Sequence, residues 1–346
     1  MKRLLNTLYV TSEGAWLRKD GQNLVVEVEG AERGRAPLHM LAGVVSFARA
    51  GASPALLAAC AEAGITVSHL EPNGRFLARV EGARSGNVLL RRAQFRIADD
   101  AESRTPIVRA VVAAKAANQR TVLRRALRDH GDGMPADDSK ALAAAGRRLG
   151  DIIRRTLVAT SVDGLRGLEG EAALVYFAVF DRLVRSDDPA FAFNGRSRRP
   201  PLDRINALLS FLYAMLGHDC RSALEAHGLD PQVGFLHADR PGRAGLALDL
   251  MEELRPVLAD RLALSLVNRR QLTAGDFVVE EAGGVRLGDD ARRRVLVAWQ
   301  ERKRGELRHP FLDETIPLGL LGHVQAQLLC RHLRGDLDGY PAFVWK

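Results

Sequence analysis

The chain has 346 residues, 47% of them hydrophobic and 27% charged, with 50 Lys and Arg against 42 Asp and Glu for a formal charge of +8. That length carries about two domains with cores of their own, and the composition excludes a disordered chain or a fibrous repeat. The positive balance points to an anionic partner, nucleic acid first; only six of the cations are lysines, so most are planar guanidinium forks suited to phosphate.

Residues 1–82 read as a small β-rich domain. The stretches 4–11, 15–18, 24–29 and 65–70 carry β-branched or apolar residues, broken by Lys19-Asp20-Gly21 and by the hairpin-like turn Glu71-Pro72-Asn73-Gly74. One helix interrupts them at 53–62, with Ser53 as N-cap, Pro54 in the first helical position and Gly64 past its end. Residues 83–100 serve as a linker and first helix. From Asn87 onward apolar residues recur every three or four positions over 87–98, 103–129, 138–158, 164–185, 202–217, 244–268 and 289–306, which makes 101–346 a larger helical domain. The segment 130–139, with Gly131, Gly133, Pro135 and three aspartates, is expected to be an exposed loop. A short β excursion is expected over 277–287, across Gly283-Gly284. The fold class is α+β: a small N-terminal β-rich domain and a larger C-terminal all-α domain.

Cys60, Cys220 and Cys330 stand far apart in apolar text, so they read as reduced core residues rather than a disulfide framework or a metal knuckle. The first residues turn polar too soon for a signal peptide, and no run of about 18 apolar residues occurs. A cytoplasmic protein is expected.

Three segments carry candidate chemistry. In Gly167-Leu168-Glu169-Gly170-Glu171-Ala172-Ala173, the small residues three and four positions after Glu169 leave room beside its carboxylate for a metal or ligand; the alternative is an exposed first-turn glutamate favoured by the helix dipole. Gly228-Leu229-Asp230-Pro231-Gln232-Val233-Gly234-Phe235-Leu236-His237 ends a short apolar run on an imidazole, which alone reads more readily as a structural hydrogen-bonder. Leu248-Asp249-Leu250-Met251-Glu252, if helical, puts two acids three residues apart on one face of an apolar helix, where they call for a cation. Two carboxylates and one imidazole suit Mn²⁺ or Mg²⁺ better than zinc, and such an ion can polarise a phosphodiester.

A fourth segment is basic. Arg196, Arg198, Arg199 and Arg204 fall within nine positions stiffened by Pro200 and Pro201 and run into an apolar helix, a pattern for phosphate contact; the alternative is a solvated loop. Arg91, Arg92 and Gln94, and the run Trp299-Gln300-Glu301-Arg302-Lys303-Arg304, are further candidates for backbone contacts or plain charged helix faces. The aromatic end Phe343-Val344-Trp345-Lys346 is expected to pack on its own domain, with a partner contact as the alternative.

Together these strings resemble one family, the CRISPR-associated adaptation integrase, first-numbered of the Cas proteins. The resemblance spans nearly the whole chain. It rests on Gly86-Asn87-Val88-Leu89-Leu90-Arg91-Arg92-Ala93-Gln94, Gly167-Leu168-Glu169-Gly170, Arg198-Arg199-Pro200-Pro201 with Asn206-Ala207-Leu208-Leu209-Ser210, Gly234-Phe235-Leu236-His237, Leu248-Asp249-Leu250-Met251-Glu252 and Trp299-Gln300-Glu301-Arg302-Lys303, in that order. Length and wording are closest to the subtype I-C branch. The resemblance implies an N-terminal β-sandwich-like domain used for homodimerisation and a C-terminal all-α catalytic domain holding one metal through Glu169, His237 and Glu252, with Asp249 as a nearby acid needed for activity. It implies metal-dependent cutting and joining of DNA, in which the 3′-hydroxyl of a captured fragment attacks a phosphodiester at the CRISPR repeat. The implied partners are that DNA and the second-numbered Cas protein, in a heterohexameric complex. Two other readings remain: a DNA-binding architectural relative without chemistry, and a stand-alone nuclease for branched DNA.

Overall fold

The structure is a computed structural model that describes residues 6–47, 50–72, 74–80, 82, 88–281 and 283–345. The expected strand start at residues 4 and 5, the turn residue Asn73, residues 83–87 and Lys346 lie outside the described residues. The chain divides into two compact units, Met1–Ser85 with Gly288–Val297, and Gly86–Leu287 with Ala298–Lys346.

The first unit contains β1 (Asn6–Val10), β2 (Trp16–Asp20), β3 (Asn23–Val28), β4 (Ala31–Pro37), β5 (Leu41–Ser46), β6 (Gly51–Ala52), α1 (Pro54–Glu62), β7 (Thr66–Leu70) and β8 (Phe76–Val80). They form two four-stranded sheets, in the orders β1-β5-β7-β8 and β4-β3-β2-β6. Val10, Val44 and Val67 from one sheet, Leu17 and Leu24 from the other and Leu56 and Cys60 from α1 meet in one core, which is what makes the unit sandwich-like. The β2–β3 hairpin closes with Asp20 opposite Asn23, and Gly21 takes the positive φ of 56° that this two-residue turn requires. Helix α1 starts as expected: Ser53 accepts the N–H of Leu56, and Pro54 occupies a position where no amide hydrogen is needed. Strand β4, Ala-Glu-Arg-Gly-Arg-Ala-Pro, was not expected. It is a polar edge strand without alternation, and Arg35 ties it to Glu32 and to Asp20 of β2.

The second unit is mainly helical: α2 (Val88–Asp99), α3 (Ala101–His130), α4 (Ala136–Val158), α5 (Val162–Ala178), α6 (Arg204–Ala226), α7 (Gly245–Arg255), α8 (Arg261–Asn268), the ladder β9 (Phe277–Val279) with β10 (Val285–Leu287), then the end of α9 (Asp289–Arg304), whose residues up to Val297 belong to the first unit, the ladder β11 (Glu306–Arg308) with β12 (Thr315–Pro317), and α10 (Leu321–Leu333). Helix α3 is its axis. Val108, Val112, Ala116 and Leu123 are fully or nearly fully buried, because α4, α5 and α7 all pack on α3.

Several expected boundaries move. The stretch 244–268 is two helices, since Pro256 has no amide hydrogen to continue α7 and a π turn over Pro256–Asp260 carries the chain into α8. The stretch 164–185 leaves the α form after Ala178, and 202–217 runs on to Ala226, burying Ala223 and Leu224. Of the expected exposed loop 130–139, only a 3-10 turn over Gly131–Gly133 and two further residues precede α4. The expected excursion at 277–287 is the β9–β10 ladder, whereas β11–β12 and α10 were not expected in an all-α domain. Phe343 is 1% exposed and the end of the chain packs on its own unit: Asn118 of α3 donates to the Phe343 carbonyl and accepts the N–H of Trp345. All three cysteines are free and buried. Among the described residues, no helix is long and apolar enough to cross a membrane.

Candidate metal centre

Asp249 organises the site. Helix α7 is buried on nearly every side, and a carboxylate there needs partners. The Asp249 carboxylate accepts the N–H groups of Phe235 at 2.6 Å, Leu236 at 3.0 Å and His237 at 3.0 Å, and lies 2.6 Å from Nδ1 of the His237 ring. A carboxylate oxygen accepts, so Nδ1 is the ring nitrogen that donates, and the neutral tautomer with this hydrogen bond has its lone pair on Nε2. That Nε2 lies 3.9 Å from Oε1 of Glu252, one helical turn beyond Asp249.

The loop bearing His237 is fixed from three further directions. Gln94 of α2 is fully buried, donates to the carbonyls of Asp230 and Val233 and accepts the N–H of Asp230. Arg166 of α5 donates to the carbonyl of Leu236 at 2.8 Å. Gly234 sits directly on α7: a Cβ there would stand 2.7 Å from the carbonyl carbon of Gly245 and 2.9 Å from Oδ2 of Asp249. Neither side chain nor slack fits between them.

Glu169 projects from the middle of α5, not from its first turn; Ser161 caps that helix by accepting the N–H of Gly164. The room beside Glu169 is filled by a residue that sequence reading missed. Lys115 of α3 is 5% exposed, its Nζ donating to Oε1 of Glu169 and lying 2.6 Å from Oε2 of Glu252. Nη1 of Arg255 lies 3.0 Å from the other Glu252 oxygen. Burial alone would raise the Glu252 carboxyl, but Arg255, Lys115 and His237 outweigh it and hold it at about 2.

The structure therefore brings Glu169, His237, Asp249 and Glu252 together from α5, a loop and α7. Among the described residues, no three His, Cys, Asp or Glu side chains already stand around one point in metal-holding geometry; the Lys115 ammonium is what joins the two glutamates. The donor set nevertheless fits a divalent ion. It offers two carboxylates, already drawn around a positive charge, and an imidazole whose Nε2 lies 3.9 Å from one of them, Glu252. Lys115 was legible as one lysine in the run Val111-Val112-Ala113-Ala114-Lys115-Ala116, on the face that buries Val111 and Val112.

The basic segment is built differently from the expectation. Arg196 is turned inward: its guanidinium donates to Oδ1 of Asn206 at 2.7 Å, to Oγ of Ser210 at 3.2 Å and to the carbonyl of Ser197. Arg204 donates to the carbonyls of Ala274 and Ala190. With these donors committed to protein acceptors, only Arg198 and Arg199 of the four are exposed. The segment is rigid, since Asn206 also donates to the Gly195 carbonyl and Ser197 accepts the N–H of Leu202. Two other candidates for backbone contacts are structural. Gln94 braces the His237 loop, and Trp299, fully buried, donates to Asp219, as does Lys303 at 3.0 Å.

Comparison with known proteins agrees with this architecture. Residues 8–301 match the family model described as CRISPR associated protein Cas1. A "CRISPR-associated endonuclease Cas1 2" of Rhodospirillum rubrum is 60% identical over 347 residues, covering all of both chains. The fold is that of a Cas1 protein from Thermotoga maritima, with a TM-score of 0.81 at 24% identity over 96% of this chain and 97% of that one. It is also similar to part of a Cas6-RT-Cas1–Cas2 complex, with a TM-score of 0.82 at 25% identity over 100% of this chain and 36% of that one. The chain belongs to the Cas1 family of CRISPR-associated endonucleases.

Proposed function

We propose that this protein is the integrase subunit of CRISPR adaptation, a metal-dependent DNA endonuclease and strand transferase that inserts captured fragments at the repeat. The observation that carries the reading is the convergence of Glu169 and Glu252 on one buried cation, with Nε2 of His237 3.9 Å from Glu252. In the reaction, the 3′-oxygen of the fragment bonds to phosphorus as the target's P–O3′ bond breaks. The proton leaving the incoming hydroxyl is matched by the one taken up on the departing 3′-oxygen. One phosphodiester replaces another, so no nucleotide is consumed, in keeping with a sequence that has no G-x-x-x-x-G-K-[ST] loop.

Glu169, His237 and Glu252 would hold Mn²⁺ or Mg²⁺. Bound there, the ion would stabilise the extra negative charge at the attacked phosphate. Asp249 orients the imidazole and fixes its tautomer. Arg198 and Arg199 bind phosphates and position the duplex without reading bases. The protein works as a homodimer, within a heterohexamer bridged by the second-numbered Cas protein; the motif wording supports the subtype I-C branch, and the similarity to part of a Cas1–Cas2 complex supports the assembly.

The test is a strand-transfer assay with a labelled duplex, a repeat-containing plasmid and Mn²⁺, with and without the partner subunit. Wild type joins the duplex to the plasmid, whereas Glu169→Ala and His237→Ala, each with an unchanged circular dichroism spectrum, do not. Equal joining by both variants overturns the proposal.

A further inference from the structure

The acid that follows Glu252 in α7 takes no part in the chemistry above, yet it is fully buried. The Glu253 carboxylate accepts the hydroxyl of Tyr340 and the N–H of Phe343, both from the last residues of the chain, and the side-chain amide of Gln325 of α10 at 3.2 Å. Gln325 is itself fully buried and is oriented from behind. Nδ1 of His309 accepts the N–H of Leu312, so Nε2 carries the hydrogen and donates to Oε1 of Gln325 at 2.9 Å. That turns the amide nitrogen of Gln325 toward Glu253, the Tyr340 hydroxyl at 3.0 Å and the Pro341 carbonyl at 3.2 Å.

The backbone of Glu253 is held too. Asn118 of α3, fully buried, donates to the carbonyl of Glu253 at 2.7 Å and to that of Phe343 at 2.9 Å, and accepts the N–H of Trp345 at 2.7 Å. Asn118 stands three residues after Lys115 and so shares its face of α3. Two positions of α3 one turn apart thus engage two successive residues of α7: Lys115 the carboxylate of Glu252, Asn118 the carbonyl of Glu253. The ring of Phe343 needs only apolar surroundings to be buried. Burying a carboxylate and two amides beside it is costly unless each is paired, and a fully paired polar network rigidifies the elements it joins into one arrangement.

We propose that residues 340–345 are a positioning element of the metal centre, and that Tyr340 and Asn118, through Glu253, set where α7 presents Glu252 to the ion. These are positioning residues: they act through α7, not on the ion or the DNA. The tail is thereby part of the site's construction, although it enters the chain more than 80 residues after the last metal-site acid. This inference rests on the reading that Glu169, His237 and Glu252 hold a divalent ion.

The test is Mn²⁺ binding to the full chain, read from the electron paramagnetic resonance signal of the free ion at a temperature where circular dichroism shows each variant folded. Tyr340→Phe removes one hydroxyl and keeps the ring; Asn118→Ala removes the clasp from α3. Thr121→Val is the control, because the Thr121 hydroxyl donates to the Trp345 carbonyl at 3.3 Å and so ties the tail to α3 without Glu253. The expected result is a Kd for Mn²⁺ about tenfold higher in Tyr340→Phe and Asn118→Ala, the low end of what lost outer partners cost a metal site, with Thr121→Val at the wild-type value. A merely structural tail would lower the unfolding temperature of all three and move no Kd. Wild-type affinity in folded Tyr340→Phe overturns the proposal, whether or not Asn118→Ala folds. An equal loss of affinity in Thr121→Val also overturns it, because general loosening then accounts for the effect. Wild-type protein that binds no Mn²⁺ overturns the metal reading and this inference with it, whereas wild-type binding with unmoved variants removes this inference alone.

Discussion

Nζ of Lys115 lies 2.6 Å from Oε2 of Glu252 while also donating to Glu169, so a single ammonium from α3 joins acids from α5 and α7. A divalent ion bound by those acids must compete with that charge. Lys115→Met is therefore expected to bind Mn²⁺ at least tenfold more tightly by calorimetric titration. The same variant loses stability without metal, by about 3–5 kcal/mol, the usual consequence of leaving a buried charge without its partner. Unchanged affinity for Mn²⁺ would show that the ammonium and the ion do not share the acids.

Asp249→Asn tests the brace behind His237. The carboxylate accepts three backbone N–H groups and the ring Nδ1, and an amide would turn its own hydrogens toward some of those donors. Denaturant unfolding should show a loss of about 2–3 kcal/mol, and the affinity for Mn²⁺ should fall 10- to 100-fold. A variant with wild-type metal affinity would remove Asp249 from the site.

Asp260 gives the protein a pH signature. Burial pushes its carboxyl up to about 6, against the Tyr213 hydroxyl, which donates to it at 2.6 Å, and against Arg255 and Arg196. The folded state holds this proton more tightly than the unfolded chain does. The contribution is thus fully present below the ordinary value of 3.8 and is lost as pH rises toward 6. Asp260→Asn keeps an oxygen for Tyr213 and cannot ionise. Relative to wild type, its unfolding free energy should rise between pH 4 and pH 8, by up to about 3 kcal/mol; parallel pH profiles would rule out this assignment.

Arg198 and Arg199 are the exposed pair of the basic segment. Replacing both with Ala should weaken duplex binding about equally for all sequences and lower the salt slope by roughly 0.9 per lost phosphate contact. Filter binding across a salt series measures this directly, and an unaltered slope would mean that these side chains touch no phosphate. Arg196→Ala should instead loosen the segment and lower thermal stability, because its guanidinium is spent on Asn206, Ser210 and Ser197.

Much of this was legible in the chain. The capped start of α1 at Ser53-Pro54, the change from strand to helix spacing near residue 87 and the two acids on one turn of α7 are local patterns, governed by backbone geometry a few residues at a time. The order of the motif strings was enough to suggest the family. Other features depended on partners far away in sequence. Lys115 meets Glu169 across 54 positions, Gln94 grips Asp230 across 136, and Asn118 holds Phe343 across 225. Whether Arg196 faces DNA or Asn206, or Glu169 faces water or an ammonium, follows from which helices pack on α3. Spacing along a chain sets the face on which a side chain emerges; what it meets there is chosen by burial and charge pairing across the whole unit.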